Sequence, residues 1–242
     1  MSYLEAQMIE PIRRFMLDHL RMDITAREFS AGYGVADLVG ATLCGEGCEL
    51  RKEKMPQVAL DHHHIVQVLL ALHPEGRTSL PHILRRVALS ESTLRRKVLP
   101  QLDKLGVIEY CGDGYVRLIF APPKPASRVV AVEAKQTRWR DAILQARRYT
   151  FFADQSYVAV WAKTAARVDK GLLYRHRVGL IAVDPDGDCS IVVDAPKVSP
   201  RETNMNRFCA EFLYGLALRA GSTVGQQPNR SEGSTLVNSL CE

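Results

Sequence analysis

The sequence predicts an α/β fold interrupted by a smaller helical module. Two observations predict it. Apolar runs of strand length, at 35–41, 128–134, 156–162 and 178–183, alternate with stretches of helical periodicity. Between the first and second runs the texture changes: three short helical patterns are followed by a hairpin signature, all within residues 62–118.

Taken in order, residues 4–20 place Leu4, Met8, Ile12, Phe15, Met16 and Leu20 at helical spacings, with Pro11 as a point of kinking. Residues 26–29 and the glycine turn Gly32-Tyr33-Gly34 lead into the apolar run 35–41, which carries one carboxylate, Asp37. Gly45-Glu46-Gly47 and the charged stretch 49–54 mark an exit from the sheet. Residues 62–73 and 79–87 read as helices broken apart by Pro74-Glu75-Gly76. Ser90 is placed to cap a third helix that runs through Leu105 and stops at Gly106. The runs 107–110 and 115–118 flank Cys111-Gly112-Asp113-Gly114, a hairpin with an Asp-Gly turn. Residues 121–126, rich in proline, form a stiff linker.

After the linker come a strand at 128–134, a helix at 140–152, a strand at 156–162 and a short helix at 164–173. The runs 178–183 and 189–193 form a hairpin around Asp184-Pro185-Asp186-Gly187. A closing helix covers 202–218, and 222–242 reads as a disordered tail. The domains expected are a discontinuous core, 1–54 with 124–221, and an insert at 55–123.

Composition sets limits. With 242 residues, 46% of them hydrophobic, the chain can bury a sizeable core of one or two domains. A net charge of +5 is compatible with a nucleic-acid partner without requiring one. The first residues lack the pattern of a signal peptide, and no apolar run reaches the roughly 18 residues of a membrane span, so no membrane partner is expected. The six cysteines are scattered, and only Cys44 and Cys48 stand close together. A reduced, cytoplasmic protein is therefore expected.

The chemistry concentrates at Glu133-Ala134-Lys135. Strand side chains alternate faces, so Glu133 and Lys135 share one. A carboxylate can hold Mg²⁺. A lysine can orient water or stabilise developing charge, and phosphodiester hydrolysis uses both functions. Asp37, on another strand, suits the role of second carboxylate. By itself the Glu133–Lys135 pair also reads as a solvated ion pair at a strand end.

The order of these pieces resembles the PD-(D/E)XK nuclease superfamily, and within it the RecB-like branch. The matching residues are Glu5 on a first helix, Asp37 on a strand, Glu133-Ala134-Lys135, and Gln145-Ala146-Arg147-Arg148-Tyr149 on the following helix. The resemblance covers about 1–50 and 127–195. Ala36 stands where the motif has its proline. The resemblance implies a restriction-endonuclease-like mixed sheet flanked by helices. It implies Asp37 and Glu133 as ligands for Mg²⁺ or Mn²⁺ and Lys135 as the catalytic lysine. It also implies that Gln145 lines the site, that Tyr149 supports the helix or touches DNA, and that Glu5 adds an acidic group. Nuclease cores of this type often act in pairs, so a homodimer is an expected partner.

The insert resembles winged helix-turn-helix domains in general. Its third helix presents Ser92, Thr93, Arg95, Arg96 and Lys97 near its start, where recognition helices meet DNA, and Arg85 and Arg86 lie on the helix before it. Arg138, Arg140, Arg147 and Arg148 are further candidates for phosphate contacts. The function expected is a metal-dependent endonuclease acting on double-stranded DNA. The alternatives are a non-catalytic DNA-binding regulator and an assembly protein on the same fold.

Overall fold

The computed structural model describes residues 3–32 and 34–221, with side chains from residue 6 onward. Helix α1 (Tyr3–Asp18) runs through Pro11 and turns Met8, Ile12, Phe15 and Met16 inward. Strands β1 (Ile24–Ser30) and β2 (Val35–Leu43) pair antiparallel. Then comes α2 (Gly45–Lys54). The charged stretch 49–54, expected as an exit from the sheet, is thus helix. Arg51 points inward and is only 2% exposed, held by an ion pair that apolar periodicity cannot register.

A helical unit with its own core follows: α3 (His63–Ala71), β3 (Arg77–Ser79), α4 (Leu80–Arg86), α5 (Glu91–Thr93), a π-helical turn (Leu94–Val98), α6 (Leu99–Lys104), β4 (Ile108–Tyr110) and β5 (Tyr115–Leu118). Val66, Leu69, Ile83, Leu94, Leu102 and Val116 fill that core. The third helix expected from the sequence is α5, the π-turn and α6 laid end to end. Ser90 caps it, its Oγ accepting the N–H of Thr93 at 3.1 Å, and Gly106 ends it at φ +69°. Strands β4 and β5 form the expected hairpin, and β3 joins β5 on its other edge. Three residues are too few to show alternation, and Ser79 also caps α4, so β3 reads in sequence as a helix start.

The chain then forms β6 (Ala126–Ala134), α7 (Trp139–Tyr149), β7 (Gln155–Trp161), α8 (Ala162–Ala165), α9 (Lys170–His176), β8 (Gly179–Val183), β9 (Cys189–Val193) and α10 (Thr203–Arg219). The single helix expected at 164–173 is two. Asp169 takes the N–H of Gly171 at 2.8 Å and so starts α9 afresh. Residues 222–242, expected as a disordered tail, lie outside the described residues.

The large sheet has six strands in the order β1-β2-β6-β7-β8-β9. It is mixed: β6, β7 and β8 run parallel, and the outer pairs are antiparallel. Parallel neighbours need crossovers, which α7 and then α8 with α9 provide. Helices flank both faces. Ile143 and Tyr149 of α7, Leu173 of α9 and Leu213 of α10 pack on one, and Met8, Ile12 and Met16 of α1 on the other. At Gly40 of β2 a Cβ would stand 2.9 Å from the Met16 side chain, so glycine lets α1 lie close over this strand. Among the described residues no helix is long and apolar enough to cross a membrane.

One buried charge cluster ties the helical unit to the sheet. Glu211 of α10, fully buried, accepts from Arg51 at 2.7 and 3.0 Å, from Arg207 at 2.9 Å and from the Leu60 N–H at 2.9 Å. The two arginines also donate to the carbonyls of Val58, Pro122 and Pro123. Both segments through which the chain crosses into and out of the helical unit are thereby held around a single carboxylate.

Candidate active site

Strand β6 is central and buried on both faces. Its alternation places Ala131, Glu133 and Lys135 toward α7. Glu133 is 1% exposed, an uncommon position for a carboxylate. Strand β2 runs antiparallel beside it with Leu38 opposite Val132, so Asp37 and Glu133 come next where the ladder ends. There Asp37 Oδ2 accepts the backbone N–H of Ala134 at 2.8 Å. Lys135 Nζ lies 2.9 Å from Glu133 Oε1. From α7, the Tyr149 hydroxyl lies 2.6 Å from Glu133 Oε2 and 2.8 Å from the Val35 carbonyl.

The structure therefore brings together Asp37, Glu133, Lys135 and Tyr149, residues from three elements. Gln145, one turn before Tyr149, is half-buried, and its side chain makes no hydrogen bond among the described residues. Glu5 sits in α1, and its side chain lies outside the described residues.

Burial, followed by the negative charge of Asp37, raises the Glu133 carboxyl above its usual range, and the contacts of Tyr149 and Lys135 oppose the rise. Burial and the neighbouring Glu133 push the Tyr149 phenol far up, so it keeps its proton. That single proton faces two acceptors, Val35 O and Glu133 Oε2.

Among the described residues, no group of three or more His, Cys, Asp or Glu side chains is arranged to hold a metal ion. Asp37 and Glu133 supply two hard oxygen donors. Mg²⁺ needs no more than one or two carboxylates when water and substrate oxygens complete its shell. The donor chemistry also fits, because a cation relieves the repulsion that Asp37 exerts on Glu133.

No protein-family model matches this chain, and no curated protein does. Among solved structures, a protein of unknown function from Silicibacter pomeroyi is similar at 19% identity over 45% of this chain and 68% of that one, with a TM-score of 0.30. A likeness that low carries no argument.

The basic residues singled out in the sequence stand elsewhere. Arg85 and Arg86 are exposed in the last turn of α4. Arg95 pairs with Glu91 at 2.7 Å, while Arg96, Lys97 and Ser92 are exposed. Thr93 spends its hydroxyl on the cap, 2.9 Å from Ser90 Oγ. Arg95, Arg96 and Lys97 all lie in the π-turn, a feature frequent at functional sites. Arg138 is held by Asp141 at 2.7 Å, and Arg140 stacks on Trp139 at 4.3 Å. Arg147 and Arg148 are exposed on α7. Sequence reasoning did not reach Arg175, Arg177 and Arg201, which share a cleft with Arg147. The run Arg175-His176-Arg177 before β8 was the available signal.

Proposed function

We propose that the chain is a metal-dependent DNA nuclease with a restriction-endonuclease-like core of the PD-(D/E)XK type. One observation carries the reading. Two carboxylates from neighbouring strands, Asp37 and Glu133, come together at the end of the ladder, and Lys135 stands 2.9 Å from the second. On this reading Asp37 and Glu133 hold Mg²⁺ or Mn²⁺. The bound ion would polarise the phosphate and acidify water. Lys135 holds a positive charge beside the carboxylates, where it can orient water and stabilise charge developing on the phosphate. Tyr149 positions Glu133 from below, and Gln145 lines the same face of α7. Two copies acting together would cut both strands of a duplex.

On the same reading residues 55–123 form an inserted winged helix-turn-helix domain that holds the duplex. Support comes from its separate core, from the helix order, and from the β4–β5 hairpin on a small sheet. Arg85, Arg86, Ser92, Thr93, Arg95, Arg96 and Lys97 are the residues proposed to face DNA.

A second reading, a DNA-binding regulator or assembly protein on this fold, draws on one observation. Both oxygens of Glu133 are already engaged, by Lys135 and Tyr149. Incubation of supercoiled and linear DNA with Mg²⁺ or Mn²⁺ separates the two. Cutting that Asp37→Ala and Lys135→Ala both abolish supports the nuclease. Duplex binding without cutting by the unaltered chain supports the regulator.

A further inference from the structure

A cleft of about 490 Å³ opens beside the end of α7, away from the carboxylate cluster, none of whose residues lines it. Arg147 reaches it from α7, Arg175 and Arg177 from the end of α9, and Arg201 from the segment before α10. No Asp or Glu lines it. All four arginines are solvent-accessible, and none forms an ion pair among the described residues.

Four like charges converging on one cleft repel each other, and an anion relieves the repulsion. Arg201 lies over the Phe151 ring at 5.8 Å. Arg177 sits in left-handed backbone at φ +57°, where glycine is the usual residue. Guanidinium groups suit phosphate oxygens by their fork geometry. Small ligands are largely enclosed by their pockets. A trough lined by accessible side chains from three segments suits a chain that passes along it.

We propose that this cleft binds the phosphodiester backbone of a nucleic acid, through Arg147, Arg175, Arg177 and Arg201, as a site separate from the Asp37–Glu133–Lys135 cluster. The choice of nucleic acid among phosphate-bearing chains rests on the nuclease reading. Helix α7 links the two sites, because it presents Tyr149 to Glu133 and Arg147 to the cleft.

The test measures binding of fluorescent single-stranded and duplex oligonucleotides to the full chain in EDTA, across a salt series. The variant is Arg175→Gln with Arg177→Gly and Arg201→Gln. Glycine at 177 suits the backbone, and thermal melting with single substitutions serves as the folding control. Removing three phosphate-binding cations should lower the salt slope by about 2 for a single strand and nearer 3 for a duplex. The strand type that shows this change is the one the cleft takes. An unchanged slope and affinity, with wild-type binding intact, overturns the cleft but leaves the nuclease reading standing. Competition by a mononucleotide as effective as the oligonucleotide also overturns it, since the cleft would then take a small ligand. A reduced slope in a chain that never cuts DNA with Mg²⁺ or Mn²⁺ supports the cleft and removes the nuclease.

Discussion

The Tyr149 hydroxyl meets Glu133 Oε2 at 2.6 Å, joining the helix that covers the sheet to the buried carboxylate at its centre. This contact favours the ionised carboxylate, working against burial and against Asp37. Tyr149→Phe should therefore raise the Glu133 carboxyl further. On the nuclease reading, the acid limb of the metal-dependent pH–rate profile should move to higher pH, and apparent Mn²⁺ affinity in mildly acidic to neutral buffer should fall. An acid limb that stays in place would show that Glu133 is not the group that must ionise.

Glu133→Gln tests the same group through stability. The folded-state carboxyl sits above its ordinary value of 4.5, so the folded chain holds the proton more firmly than the unfolded chain does. Its contribution to stability is complete below about 4.5 and declines as pH rises through the raised value. The amide keeps the shape and removes that decline. Without metal, the variant should melt higher than wild type at neutral pH and close to it in acid below the ordinary carboxyl value. Each kcal/mol of added stability corresponds to roughly 2–4 °C in a chain of this size. Equal melting temperatures at neutral pH would mean that the buried carboxylate carries no penalty.

Much of the sheet could be read directly from the sequence because β6, β7 and β8 are apolar runs bounded by turn residues, and the period-2 rule alone placed Glu133 and Lys135 on one face. Asp37 was legible only as a charge in an apolar strand. That it reaches the Ala134 N–H depends on the antiparallel register of β2 with β6, which no local pattern encodes. The exit from the sheet after β2 was legible, but that it is a helix was not, because the inward residue of α2 is Arg51, whose partner Glu211 lies 160 positions away. The arginine cleft gathers three segments distant in sequence: Arg147 stands out in the sequence as a candidate phosphate contact, but nothing local joins it to Arg175, Arg177 and Arg201.

Arg51, Arg207 and Glu211 make a strong prediction about how the helical unit is attached. Two guanidinium groups are buried around one carboxylate, and backbone groups of both crossing segments are bonded to the cluster. Glu211→Ala leaves two buried cations without their counter-charge, which should cost about 3–5 kcal/mol and lower the melting temperature by roughly 10 °C. Backbone amides near Leu60 should also exchange faster with solvent. A destabilisation under about 1 kcal/mol would show that the cluster hydrates and opens in solution.

The π-turn distinguishes among its three basic residues. Arg95 is tied to Glu91 and must give up that pair to reach a phosphate, whereas Arg96 and Lys97 are exposed and unpaired among the described residues. If this face holds a duplex, Arg96→Ala with Lys97→Ala should flatten the dependence of log affinity on log salt by about 2, since each phosphate that a side chain neutralises adds close to 0.9 to the slope. Arg95→Ala alone should change it less, because it removes one cation rather than two, and that cation is already held by Glu91. The measurement is duplex binding by anisotropy across roughly 50–200 mM salt, where such contacts are most visible. An unaltered slope in the double variant would remove this helix from the DNA interface, and the basic stretch would then be a solvated face of the helical unit.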